Sequence, residues 1–257
     1  MNIDRVVLVW DGNPFYDGFY EMHRKLWAKL GIKTGLVFVS DGSNAAAIPK
    51  DGDIVVVEDR SDVPFTPPPG RSWKATMAII HGPCLFPGEV TMVTGMDQFP
   101  ASCRFINAVA EIPDGSLVTC IGSPTHITTN HIVAHHNEWS RIMSPAPSDF
   151  TELIEWTWDQ DLDVTGYGDI AIGWGNDEVL FAQLVRACEN LNVVTAIENY
   201  QEDWLDRVIG ITQKVPDPQK LRDGFYSELH IRLPLSGLDR QTFNTLLAAK
   251  PFPGARS

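Results

Sequence analysis

The feature that most restricts the fold is an alternation that runs through the first half of the chain. "RVVLVW" (Arg5–Trp10) is a continuous apolar run of strand length, closed by "DGNPFYDG", a dense cluster of turn formers. Phe19, Met22, His23, Leu26, Trp27 and Leu30 then recur at i, i+3, i+4, i+7, i+8 and i+11, the stripe of an amphipathic helix that Gly31 ends. A second apolar run, "GLVFVS" at 35–40, leads into Asp-Gly, and "DIVVVE" (Asp53–Glu58) is a third. Beyond the proline-rich loop "DVPFTPPPG", the residues Trp73, Thr76, Met77 and Ile80 mark another helix, which leads to the strand of "EVTMVTGMDQFP". Strands that alternate with helices predict an α/β domain, a mostly parallel sheet flanked by helices.

Later signals continue the pattern less regularly. "SLVTCI" at 116–121 reads as a strand and "HIVAH" at 131–135 as a further one. "SDFTELIEWTW" reads as a helix capped by its serine, and "NDEVLFAQLVRAC" as a helix with Asn176 at the cap. Past residue 190 "QKVPDPQK" reads as a loop and "PFPGARS" as a loose tail. The expectation is one domain over 1–190, with 191–257 as a C-terminal helical extension packed on it.

Composition narrows the function classes. A net charge of −13 without a basic stripe disfavours binding along a phosphate backbone, so nucleic acid is not an expected partner. Cys84, Cys103, Cys120 and Cys188 show neither CxxC nor zinc-finger spacing, and free buried thiols are expected. "MNIDRVVLVW" lacks the pattern of a signal peptide, and no apolar run has the ~20 residues a membrane span needs. A soluble, cytoplasmic protein is expected.

In a parallel α/β sheet, ligands bind beyond the carboxyl ends of the strands. Asp11, Ser40, Asp41 and Asp97 all fall at such ends. Asp97 stops a short apolar strand, with a proline close behind it. The plainer reading is a turn or helix cap; the functional one is a carboxylate that holds a divalent cation against a diphosphate. His131, His135 and His136 resemble a zinc cluster, but the HExxH glutamate is missing. They read as solvated or substrate-contacting imidazoles, with His136 the residue placed on the substrate. In "GYGDIAIGWGNDEVLFAQL", Trp174 lies between two glycines and is followed by Asp177 and Glu178. Acids at a helix start satisfy its dipole. An aromatic face beside carboxylates also suits a sugar, and one of those carboxylates can serve as general base on an acceptor hydroxyl. Arg71 and Lys74, at a helix start, are either a solvated face or counter-charges to a diphosphate.

Taken in order, these segments resemble a group of GT-A-fold glycosyltransferases found in viruses and bacteria. The likeness rests on "VVLVWDGNPFYDGFYEMHRKLWAKLGIKTGLVFVS", "PPPGRSWKATMAII", "VTGMDQFP", "IVAHHNEWSRIM" and "GWGNDEVLFAQL", and it runs from the first strand to about Ala187. It implies a GT-A-like, Rossmann-type sheet and transfer of a sugar from a nucleoside diphosphate sugar, a uridine one first, to an acceptor hydroxyl. It further implies a nucleotide site at Trp10, Asp11, Gly12 and Asn13, with Arg71 and Lys74 toward the diphosphate. Asp97 falls on the second Asp of the group's Asp-x-Asp motif and would bind Mn²⁺ or Mg²⁺. Asp177 and Glu178 fall on the late acidic motif that positions the acceptor or removes its proton.

The chain departs from the motif at Gly95, which stands where the first Asp is expected. Two alternatives follow. Asp97 holds the metal together with the diphosphate, waters and His230 of "SELHIRL", or the enzyme works without metal on Arg71 and Lys74. A catalytically impaired nucleotide-sugar-binding module and a glycosyltransferase acting on a modified DNA base are the competing functions.

Overall fold

The computed structural model describes residues 1–63, 73–119, 127–160, 162, 176–196, 204–206, 215–231, 237–250, 252–253 and 255. The strands are β1 (Arg5–Trp10), β2 (Lys33–Ser40), β3 (Asp53–Glu58), β4 (Val90–Val93), β5 (Gln98–Pro100), β6 (Ser116–Thr119), β7 (Ile132–His135), β8 (Asn192–Thr195), β9 (Trp204–Asp206) and β10 (Glu228–His230). The helices are α1 (Phe19–Lys29), α2 (Trp73–His81), α3 (Arg104–Ala110), α4 (His136–Met143), α5 (Phe150–Trp158), α6 (Asn176–Ala187), α7 (Pro218–Arg222) and α8 (Gly237–Ala248).

The main sheet has seven strands in the order β3-β2-β1-β4-β7-β6-β8. β1 pairs in parallel with β2 and β4, β2 with β3, and β6 with β8. β7 alone runs against its neighbours β4 and β6. The sheet is therefore the mostly parallel one that strand–helix alternation predicts. A second, three-stranded sheet, β5-β10-β9, joins the turn after β4 to the C-terminal part of the chain.

β1 is buried along its whole length because helices cover both of its faces. Val6, Leu8 and Trp10 belong to one apolar cluster, with Phe19, Leu26 and Trp27 of α1, Phe105 of α3, Leu229 of β10 and Phe243 of α8. Val7 and Val9, pointing the other way, belong to a second cluster with α2, α4, α5 and α6. Period-2 alternation within a continuous apolar run thus feeds two cores. Gly31, at φ 74°, lies just past α1 and stops it as expected.

Several local expectations change. α5 is capped by Asp149, whose Oδ1 accepts from the Glu152 amide at 3.1 Å, rather than by the preceding serine. Asn176 is the first residue of α6, not its cap. Asp217 caps α7, so "PDPQK" is partly helical where a loop was expected. The tail is not loose throughout: Phe252 is buried and the Pro253 carbonyl accepts from the Cys103 amide at 2.8 Å. Residues beyond 191 supply β8 of the main sheet and β10 of the small one as well as helices. Cys84, Cys103 and Cys188 are free thiols; Cys120 lies outside the described residues. Among the described residues no helix is long and apolar enough to cross a membrane.

Candidate active site

β1, β2, β3 and β4 run parallel, so their carboxyl ends lie on one edge of the main sheet, where polar side chains collect. At the end of β1 the Asp11 Oδ1 accepts from the Asn13 amide at 3.0 Å, and the Trp10 indole N–H donates to the Asn13 carbonyl at 2.9 Å. Burial raises the Asp11 carboxyl, against the pull of those amides. Asn44, from the loop after β2, donates to the Asp11 and Val39 carbonyls at 2.7 and 2.9 Å. Gly12 sits at φ 81°, and a Cβ there would stand 3.1 Å from that of Ala47, so the two loops meet at a residue that needs to be glycine. The loops after β1 and β2 are thereby held against each other.

The turn after β4 carries Asp97. The proline close behind Asp97 does not end strand pairing: Gln98–Pro100 form β5, which pairs with β10. Pro100 is tolerated there because β5 is the edge strand of its sheet. Within the turn the Gly95 amide and the Thr94 hydroxyl donate to Gln98 Oε1 at 2.9 and 3.3 Å, and the Gln98 amide donates to the Gly95 carbonyl at 3.1 Å. The Ile231 amide donates to the Asp97 carbonyl at 2.8 Å. This pairing carries His230 to Asp97: Nε2 stands 3.3 Å from Oδ2, and both residues are 7% exposed. A carboxylate and an imidazole 133 residues apart in sequence are therefore adjacent.

Beside this pair lies a second one. Glu228, two residues before His230 and so on the same face of β10, reaches His131 Nδ1 at 3.1 Å. Both are almost fully buried. Burial and the nearby His23 push the His131 imidazole down to about 3, so Glu228 meets a neutral ring. His131 itself has φ 53°, an uncommon conformation for a residue with a side chain.

On the other face of the same edge, Asp177 in the first turn of α6 accepts from the Thr129 hydroxyl at 2.7 Å and is also bonded by Thr76 of α2. Its carboxyl is raised by complete burial, opposed by those hydroxyls and by amides of the helix start. Glu178 is only half-buried. Lys74 of α2 bonds Asp59 at 2.6 Å and Ser61 at 3.0 Å, just beyond β3.

No family model matches the chain, and no curated protein matches it in sequence. Solved structures do match in fold. An active-site variant of LgtC, a GT-A-type glycosyltransferase, aligns at a TM-score of 0.51 and 14% identity, over 95% of this chain and 95% of LgtC. The chain has a GT-A-like fold. The glycosyltransferase GlyE of Streptococcus pneumoniae aligns at 0.46 and 10% identity, over 100% of this chain and 66% of GlyE. A mannosyltransferase from Pyrobaculum calidifontis, in complex with GDP-mannose and Mn²⁺, aligns at 0.34 and 15% identity, over 62% of this chain and 52% of that one.

On this GT-A fold the residues singled out from sequence divide into three groups. Trp10, Asp11, Gly12, Asn13, Lys74, Asp97, Asp177, Glu178 and His230 share the carboxyl edge. His136 does not. Because β7 is antiparallel, His135 pairs with Val90 at the start of β4, and the His136 amide donates to the Glu89 carbonyl at 2.9 Å. The full length of β4 separates His136 from the Asp97 turn, and its partner is the Ser140 hydroxyl at 3.4 Å. Arg71 and Trp174 lie outside the described residues. The structure adds Glu228, Gln98 and Thr129, and it pairs His131, one of the three imidazoles singled out from sequence, with Glu228. Of the three added residues, Glu228 had a readable signal, the period-2 spacing of "ELH" ahead of His230.

Proposed function

We propose that the chain is a metal-assisted glycosyltransferase that moves a sugar from a nucleoside diphosphate sugar, uridine diphosphate donors first, to an acceptor hydroxyl. The observation that carries this reading is the convergence of Asp97 Oδ2 and His230 Nε2, 3.3 Å apart, at the carboxyl edge of a GT-A sheet. Two cis ligands about 2.1 Å from an octahedral ion stand about 3 Å apart, so this spacing fits two neighbouring positions of one Mn²⁺ or Mg²⁺. An imidazole donor favours Mn²⁺ over Mg²⁺. A bound divalent cation supplies positive charge against the diphosphate as the sugar bond breaks.

The chain's own residues then divide the work. Asp97 and His230 hold the cation. The turn of Trp10, Asp11, Gly12 and Asn13 at the end of β1 is assigned to the nucleotide. Glu178, half-buried at the start of α6, is better exposed than Asp177 to take the acceptor proton. Asp177, held by two threonine hydroxyls, orients that helix start. Trp174 and Arg71 are assigned to the sugar and the diphosphate, as their places in the sequence suggest.

A donor-binding module without turnover is the second reading, favoured by Gly95: Gln98 Oε1 would lie 2.9 Å from a Cβ at that position, so the turn is closed on itself beside Asp97. One assay separates the two. Nucleotide sugars are screened for binding, hydrolysis and transfer with and without Mn²⁺. Turnover that requires Mn²⁺ supports the enzyme; donor binding with no hydrolysis or transfer supports the module; no donor binding at all removes both.

A further inference from the structure

We infer that His23, in the middle of α1, is a positioning residue for Asp97, holding from the core the turn that presents this carboxylate. The inference rests on the metal reading only for the purpose it gives to the turn; the hold itself is a matter of geometry.

The His23 ring is fully buried among apolar neighbours, in the cluster that contains Phe19, Leu26 and Trp27. A leucine would fill such a place without the desolvation that a polar ring brings. What the imidazole adds is two directed bonds. The Trp27 indole N–H, one turn on, donates to His23 Nδ1 at 3.1 Å. Indole nitrogen is a donor only, so Nδ1 must be the bare acceptor and Nε2 must carry the hydrogen. That hydrogen points at the Met96 carbonyl, 3.0 Å away and 73 residues along the chain. Trp27 thus fixes the tautomer that lets His23 hold Met96.

The same ring stacks on Phe99, with centroids 4.2 Å apart and planes inclined by 21°. His23 therefore grips the chain on both sides of Asp97, at Met96 by a hydrogen bond and at Phe99 by its face. From the opposite side β10 bonds the Asp97 carbonyl through the Ile231 amide. With the backbone fixed at 96, 97 and 99, the Asp97 side chain is left to point toward His230.

The test compares His23→Leu, His23→Gln, Trp27→Phe and Leu26→Ala with the unaltered protein. Leu26 lies on the same helix, is fully buried, and serves as the destabilised control. Two readouts are taken: hydrogen exchange at the Gln98 and Ile231 amides, and Mn²⁺ affinity from the free-ion electron paramagnetic resonance signal. Loss of one buried hydrogen bond predicts that His23→Leu speeds exchange at both amides and weakens Mn²⁺ binding, each about tenfold. His23→Gln, which keeps an N–H donor, returns to within about threefold of the unaltered protein, and Trp27→Phe gives an intermediate loss of about threefold. Leu26→Ala lowers the melting temperature but leaves both readouts near their original values relative to global stability. The inference is overturned if His23→Leu behaves like the unaltered protein, or if Leu26→Ala reproduces its effects. If His23→Leu does not fold, an unchanged Trp27→Phe overturns it. If the unaltered protein binds no Mn²⁺, the metal reading fails, and amide exchange alone decides the role of His23.

Discussion

The two edges of the main sheet handle charge in opposite ways. At the amino edge, the first residues of β1, β2 and β3 join Glu89, just ahead of β4, in one ionic network. Arg5 reaches Glu89 at 2.5 Å and Asp53 at 2.6 Å, and Lys33 reaches Glu89 at 2.9 Å. The Arg5 guanidinium also lies 4.6 Å from the centre of the Phe86 ring. Its hydrogen bond is the main force that holds the Glu89 carboxyl below its ordinary range. At the carboxyl edge, Asp11 and Asp177 are bonded by amides and hydroxyls, and burial raises both. Asp97 and Glu228 meet imidazoles there, and Lys74 is already engaged by Asp59. One edge spends its cations on clamping strands together; the other gathers acids against weak or neutral partners, where an added cation finds the most favourable field.

The sharpest way to break this comparison is Asp97→Asn, which keeps the shape and removes the charge. Donor turnover is expected to fall roughly 10²- to 10³-fold with little change in melting temperature, because a charge aimed at the developing diphosphate is lost. Near-normal turnover would show that the carboxyl edge does not work through this acid. Arg5→Ala is the counterpart at the amino edge. It is expected to lower unfolding free energy by about 2 kcal/mol, less than for a wholly buried pair because Asp53 is exposed to solvent, while turnover per folded molecule stays unchanged. Urea unfolding and the donor assay together check this.

The neutral imidazoles give a pH dependence of known sign. His23 sits at about 4 in the fold against an ordinary 6.5, since burial disfavours its charged form. Between those values the unfolded chain binds a proton that the folded ring refuses. Stability therefore falls as pH drops from 6.5 toward 4, by up to about 3 kcal/mol from this ring, and the loss levels off below. His23→Gln should reduce the slope seen in urea titrations by this share, leaving the part that His131 contributes. Gly95→Asp has a smaller expected effect. Its Cβ would stand 2.9 Å from Gln98 Oε1 and 3.0 Å from Asp97 Oδ1, so the turn must shift at a cost of about 1 kcal/mol. Calorimetric Mn²⁺ titration should then show tighter binding from the added carboxylate. The smallest effect belongs to His136→Ala, expected to leave kcat/KM within about twofold because the residue lies at the edge away from Asp97.

Much of the first half was legible from local pattern. The apolar runs at β1, β2 and β3, the stripe of α1 with its Gly31 stop and the helix at Trp73 are all set by short-range periodicity and turn chemistry. Asp97 and Asp11 were legible as strand-end acids for the same reason. That His136 lies at the edge away from Asp97 was not legible, because a histidine at the end of a strand says nothing of the strand's direction; the antiparallel course of β7 depends on which neighbours it pairs with. Asp149, one residue past the serine expected to cap α5, shows the finer limit: either side chain suits a cap, and the backbone at 149 decided between them.

The sequence by itself determined an α/β chain with acids at the ends of its strands, since apolar period and turn residues act over a few positions. Tertiary structure alone decided that β5 would continue past Asp97, that β10 would return to it carrying Glu228 and His230, and that α1 would grip Met96 through His23. Those meetings span 73 to 133 residues, a range over which pairing and burial, not local propensity, select the partners.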